Sequence, residues 1–244
     1  MQDYLKDIVQ NTYSLGNIDT VKVVGDADTT TLSSIAEDRS VVVEAKFKNP
    51  VPEFVGTFGM PNLAKLNTIL NIPEYKEKAK LKIITQKDPN GVDVPAGVHF
   101  ENANGDFKND YRFMTENVVN AKLKTVKFRG ARWNVDVVPT NASIQRLKFM
   151  AAANSEESNF IAKTENGALK FYFGNAAGHA GDFVFDSNVA GTLSRAWAWP
   201  VNTIINILNL AGDKTLKISD EGAVMITVNS GLAEYSYIIT AQSK

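Results

Sequence analysis

The 244-residue chain contains no cysteine and only two histidines. Without cysteine there is neither a disulfide framework nor a thiolate metal site. His99 and His179 have no second histidine or carboxylate at metal-ligand spacing, so they read as surface or hairpin-loop residues. No apolar run approaches the roughly 20 residues that span a bilayer. The first residues, Met1-Gln2-Asp3-Tyr4-Leu5-Lys6-Asp7, lack the basic and apolar regions of a signal peptide. The residue types fit a reducing cytoplasm, and a cytoplasmic location is expected. Charge of one sign is missing as well: 26 Lys and Arg face 27 Asp and Glu, so the chain is not a generic polyanion binder. The Gly-rich segment 174–181 has neither the Gly-Lys-Ser/Thr ending of a phosphate loop nor a dinucleotide fingerprint, and it reads as a mobile hairpin loop. Asp26 and Asp28 lack the rest of a calcium loop, and there is no Gly-x-Ser-x-Gly elbow. No catalytic residue, metal or cofactor is expected. The Asn141-Ala142-Ser143 sequon reads as chance in a chain with no secretion signal.

What is present is a pattern that occurs twice. Residues 199–210 read as a short amphipathic helix, with Pro200 near its start and Gly212 past its end. Val201, Ile204, Ile205 and Leu208 form an apolar stripe, and Asn202, Asn206 and Asn209 lie opposite. Ile69-Leu70-Asn71-Ile72 aligns without a gap on Ile207-Leu208-Asn209-Leu210, which places Leu66 on Ile204 and Leu63 on Val201. Leu81-Lys82-Ile83 then falls opposite Leu216-Lys217-Ile218. Three strand-like runs follow each helix, the second set punctuated by Asp220-Glu221-Gly222 and Asn229-Ser230-Gly231.

The repeat extends backward. Residues 3–14 read as a helix ended by Gly16 and Asn17, followed by strands at 20–24, 30–36, 41–47 and 54–58. Residues 140–152 read as a helix with a polar N-cap at Thr140 or Asn141, followed by strands at 160–163, 169–173, 182–185 and 193–197. Asn166-Gly167 marks the first hairpin of that set. Each half is therefore helix, strands, helix, strands, an internal duplication in an α+β chain. The expected division is a domain at 1–114, a connector at 115–121 and a second domain at 122–244.

Charge is uneven within this frame. Segment 122–148 carries Lys122, Lys124, Lys127, Arg129, Arg132, Arg146 and Lys148 against Asp136 alone. This reads either as a solvated basic strand face or as a face turned toward a polyanion. Trp197 and Trp199 read either as a stacking platform or as core and rim residues.

The duplicated order resembles the DNA sliding clamps. Leu32-Ser33-Ser34-Ile35-Ala36-Glu37-Asp38-Arg39-Ser40-Val41-Val42-Val43 is similar to a segment of the first domain of proliferating cell nuclear antigen, and Tyr235-Ser236-Tyr237-Ile238-Ile239-Thr240-Ala241 to its last strand. Length and the asymmetry of the halves look most like clamps of T-even-type bacteriophages. The resemblance implies a homotrimeric, head-to-tail ring with antiparallel sheets outside and helices inside, encircling duplex DNA without reading its sequence. It implies a DNA polymerase and an ATP-dependent clamp loader as partners. It also implies DNA-facing Lys6, Lys65, Arg146, Lys148, Asn202 and Asn206. Lys6 is flanked by Asp3 and Asp7, so either those acids turn away or the lining is weakly positive there. A partner peptide would dock against Ile35, against Val118, Val119 or Leu123, and against Ile238, Thr240 and Ala241. The rival reading is a β-rich virion or scaffold protein built from a duplicated domain.

Overall fold

The computed structural model describes all residues except 77, 89–90, 124–127, 176 and 243–244. The chain forms two compact units, Met1–Lys127 with Ser230–Tyr235, and Phe128–Asn229 with Ser236–Lys244.

The first unit opens with α1 (Gln2–Asn11), whose Leu5, Ile8 and Val9 are buried. Four antiparallel strands follow: β1 (Val21–Gly25), β2 (Thr30–Ile35), β3 (Val41–Phe47) and β4 (Gly56–Met60). Alternate residues of β1 and β3 are buried, as expected for a sheet with one face on the core. Then come α2 (Leu63–Leu70), β5 (Lys80–Lys87), β6 (Asp93–Glu101), β7 (Lys108–Arg112), β8 (Met114–Thr115) and α3 (Glu116–Leu123). Asn62 caps α2 from a left-handed conformation (φ 50°), and its Oδ1 accepts from Lys65 N at 3.0 Å. The strands run β8-β4-β1-β2-β3 in one sheet and β5-β6-β7 in another.

The second unit contains β9 (Val135–Val137), α4 (Asn141–Ala153), β10 (Asn159–Glu165), β11 (Ala168–Gly174), β12 (Ala180–Asp186) and β13 (Ala198–Pro200). It continues through α5 (Val201–Leu208), β14 (Asp213–Ile218), β15 (Ala223–Asn229) and β16 (Ala233–Thr240), whose first residues belong to the first unit. Thr140 and Ser143 form a reciprocal capping box at the start of α4.

The duplication is visible in the topology. The order β4-β1-β2-β3 in the first unit is matched by β13-β10-β11-β12 in the second, and β5-β6-β7 by β14-β15-β16. Helices α2 and α5 are each eight residues long and begin and end at the aligned positions, Leu63 with Val201 and Leu70 with Leu208. Within the first unit α1 packs on α2, and within the second α4 packs on α5.

Three elements differ from the sequence reading. Residues 116–123 are helical rather than an open connector, because Val119 seals α3 onto β4: a Cβ on Gly59 would lie 2.6 Å from a Val119 methyl. Residues 193–197 are not a strand. Asp220 holds that segment instead, accepting from Ser194 N at 2.9 Å, Ser194 Oγ at 2.6 Å and Arg195 N at 3.0 Å. Trp197 Nε1 donates to the Asp220 carbonyl at 2.8 Å. Trp199 is fully buried, so of the two readings of the tryptophans it takes core packing. Among the described residues of the basic segment 122–148, Val135–Val137 is the one strand; Lys124 and Lys127 lie outside the described residues.

Candidate nucleic-acid interface and partner pocket

The helices α1, α2, α4 and α5 bury their apolar stripes and leave a polar face open. On α2 this face shows Lys65 and Thr68, and on α5 Asn202 and Asn206, all exposed. On α4 it shows Arg146, exposed, and Lys148, half-buried. Neither α2, α4 nor α5 contains an acidic residue. Carboxylates would repel a phosphate backbone at any register, so their absence suits sequence-independent contact with a polyanion.

α1 is the helix that departs from this composition, and the structure shows how. Asp7 turns away from the open face and is buried. Its Oδ2 accepts from Tyr235 Oη at 2.8 Å and its Oδ1 from Asn11 Nδ2 at 3.3 Å; Ser230 adds a further side-chain hydrogen bond. The exposed face of α1 therefore keeps Lys6, half-buried, with Asp3 as the one exposed acid. Burial pushes the Asp7 carboxyl above the usual carboxylate range, and the hydrogen bonds from Ser230 and Tyr235 only partly oppose this.

A stability test follows from that shift. A carboxyl raised in the folded state releases its proton later than in the unfolded chain, so its ionisation costs stability as pH rises above about 4. Asp7→Asn keeps an acceptor for Tyr235 and cannot ionise. Between pH 4 and pH 7 the parent is expected to lose melting temperature relative to the variant, measured by calorimetry. A difference between the two that does not change with pH would show that the carboxylate is well accommodated.

The partner-binding candidates of the first unit separate into three kinds. Ile35 and Leu123 line one pocket of about 190 Å³ together with Asp19, Thr20, Ala36, Glu37, Arg39 and Lys122. Lys122 Nζ donates to Thr20 Oγ1 at 2.8 Å and so fixes the end of α3 beside the start of β1. The turn 36–39 shapes the other rim: Arg39 has φ 61° and donates its N–H to the Ala36 carbonyl at 2.8 Å. Val118 is 51 % exposed on α3 outside this lining, whereas Val119 is fully buried and acts as packing, a correction to its reading as a docking residue.

In the second unit Ile238 is 4 % exposed and belongs to the core, which likewise corrects its reading as a pocket wall. Thr240 is exposed and Ala241 half-buried; Ala241 N donates to Gly222 O at 2.9 Å, and Gln242 N to Ala198 O at 3.0 Å. Gly222 (φ 82°) leaves room there for the Trp197 ring and the Ala241 methyl. The charged rim of the pocket, Asp19, Glu37, Arg39 and Lys122, was not legible in the sequence. Residues 37–39 carried a turn signal, and Asp19 carried none.

His99 Nδ1 lies 2.6 Å from Asp110 Oδ1 on the strand pair β6–β7, and His179 is exposed in the loop before β12. No cluster of metal-ligating side chains occurs among the described residues. No helix among them is long and apolar enough to cross a membrane.

Neither a family model nor a curated protein sequence matches this chain. Solved structures do match it over its whole length. The chain is similar to PCNA of A. fulgidus, from a structure with the C-terminal region of FEN-1 bound (TM-score 0.71, 11 % identity, 100 % of this chain and 97 % of that one). It is similar to PCNA of Thermococcus kodakaraensis (TM-score 0.66, 12 % identity, 99 % and 97 %). It is also similar to the proliferating cellular nuclear antigen of Entamoeba histolytica (TM-score 0.70, 12 % identity, 99 % and 96 %). At such identities the likeness is one of fold: the chain has the α+β fold of the sliding clamps.

Proposed function

We propose that this protein is a DNA sliding clamp: three copies close into a ring around duplex DNA and tether a replicative DNA polymerase for processive synthesis. The observation that carries the reading is the charge of the helix faces. α1, α2, α4 and α5 together expose Lys6, Lys65, Arg146, Lys148, Asn202 and Asn206 against Asp3 alone, because Asp7 is withdrawn into the core. The fold shared with the PCNA structures over 96–97 % of their length supports it.

The mechanism is topological rather than catalytic. A closed ring is retained by linkage, so it needs only loose, sequence-independent contact. Few cations and several neutral amides meet that need better than a strongly basic surface, which would hold phosphates and slow sliding. Two similar units per chain and three chains joined head to tail give six such units. Loading would require an ATP-dependent loader to open one joint. Partner proteins would seat an apolar anchor in the pocket between Ile35 and Leu123 of the first unit; Thr240 and Ala241 are a separate candidate contact on the second. The setting in this reading is the cytoplasm of a host cell, with a bacteriophage genome as the replicated template.

The test is polymerase processivity with cognate loader and ATP on primed circular DNA and on linear DNA with free or blocked ends. Stimulation on circles and on blocked ends, lost on free ends, is the expected result. Equal stimulation on free-ended DNA, or none on any template, would refute encirclement.

A further inference from the structure

The helix faces and the pocket do not use all of the basic segment 122–148. Lys122 is bonded to Thr20, and Arg146 and Lys148 stand on α4. Arg129 and Arg132 remain, in the irregular stretch Phe128-Arg129-Gly130-Ala131-Arg132-Trp133 that leads to β9. Both are exposed, and neither has an ion-pair partner among the described residues.

The local geometry pairs these arginines with aromatic rings. Five residues of extended chain span about 16 Å. Yet the rings of Phe128 and Trp133 lie 6.0 Å apart, inclined at 33°. Gly130 allows this: its φ of 89° turns the chain. Each ring is half-buried, so part of it meets solvent. The stretch is anchored at its end, where Asn134 N donates to Ile218 O at 2.9 Å and Asn134 Oδ1 accepts from Asp220 N at 3.0 Å. The same Asp220 draws in a third exposed arginine, since its carboxylate accepts from Arg195 N at 3.0 Å. Acids are few here. Residues 128–135 contain none, and Asp136 is paired with Lys217 at 3.1 Å. Asp220 is engaged by Ser194 and Arg195, which leaves Glu221 as the remaining acid of the neighbouring turn.

We propose that this stretch binds single-stranded nucleic acid: bases stack on Phe128 and Trp133, and Arg129, Arg132 and Arg195 contact the phosphates. The site is distinct from the helix faces that would meet duplex DNA, and all of its residues belong to the second unit. Exposed arginines without carboxylate partners call for an anion. The rings select among anions. An acidic peptide would use the guanidinium groups and leave the rings idle. A duplex keeps its bases stacked on one another. An open strand offers both phosphates and free base faces, which aromatic rings and arginine planes accept without regard to sequence. The site is complete within one chain, so a short strand binds it whether or not the ring forms.

The test is the fluorescence anisotropy of a labelled oligothymidylate of about ten nucleotides, titrated with the full chain at about 50 mM salt. A duplex of the same length and polyglutamate serve as competitors. The strand is expected to bind, and Arg129→Glu with Arg132→Glu to weaken it by about tenfold or more and to flatten its salt dependence. Trp133→Ala should weaken it by about tenfold with the salt dependence kept, and Trp133→Phe should restore most of the loss, because any aromatic face stacks. That rescue also separates lost stacking from misfolding. No binding of the strand, or equal competition by the duplex, would overturn the proposal. So would polyglutamate competing as well as unlabelled strand while Trp133→Ala has no effect, which would mark a site for acidic segments instead. Retention of the arginine variant on nicked circular DNA should match that of the parent; a loss there would place these arginines in the duplex path and overturn a separate site. A chain that binds the strand but never forms a ring would leave this site standing and overturn the ring reading alone.

Discussion

Retention on nicked circular DNA at about 50 mM salt is expected to fall by about tenfold or more when Asn202→Asp and Asn206→Asp are combined. Both side chains are exposed on α5 and stand on a helix that carries no charge. The double substitution adds two negative charges per chain and six per ring at the surface meant to face phosphates. The fold should tolerate it. Residue 202 lies in the first turn of α5, where an acid is favoured by the helix dipole, and residue 206 lies near the other end, where it is disfavoured by a similar few tenths of a kcal/mol. Salt is the control: as the screening length shortens, the difference between variant and parent should shrink. Off-rates measured after loading, at several salt concentrations, decide it. Off-rates equal to those of the parent throughout would mean that α5 does not face DNA.

The second large effect concerns Asp220. Its carboxylate accepts from two backbone N–H groups and a hydroxyl of the 194–195 segment, while its own N–H and C=O are bonded to Asn134 and Trp197. Asp220→Ala leaves those donors to water and frees the segment before β13. It is expected to cost about 1–3 kcal/mol, the range for charge-assisted hydrogen bonds. Asp220→Asn should recover only part of this, because its amide nitrogen meets donors. The pH dependence carries a separate signature. Burial raises the carboxyl, but the hydrogen bonds from Ser194 and Arg195 outweigh it and hold the group below the usual carboxylate range. A depressed carboxyl contributes stability that is present above its unfolded value and is lost as pH falls through the folded one. The parent should therefore lose more stability than Asp220→Ala on acidification below about pH 4. Denaturant titrations at neutral and acidic pH measure both effects. Identical pH profiles would show that the carboxylate is not what holds the segment. Because Trp197, Gly222 and Ala241 meet at the same place, the substitution should also loosen the end of β16.

Several features of this protein were determined by the sequence alone. The gapless match of 69–72 to 207–210 set two helices of equal length at equivalent places, and the alternation of buried residues set the strands around them. These are local signals: the residues that decide a period or a turn are neighbours in the chain. The lack of cysteine and of a phosphate-loop motif was equally plain, since the residue types themselves are the observation. Tertiary structure decided the rest. Nothing near Asp7 in sequence shows that it leaves the open face of α1, because its partner Tyr235 is 228 residues away. Val119 and Ile238 looked like docking residues, yet one seals α3 onto β4 and the other is core, as burial is set by what packs against a side chain. Residues 193–197 have the composition of a strand, but Asp220 supplies the hydrogen bonds that a neighbouring strand would have given. The pocket joins Ile35 to Leu123 only because α3 is helical and Lys122 reaches Thr20, a contact 102 residues long in sequence. Periodicity gives each element its inner face; which polar groups remain outside depends on partners that folding brings from elsewhere in the chain.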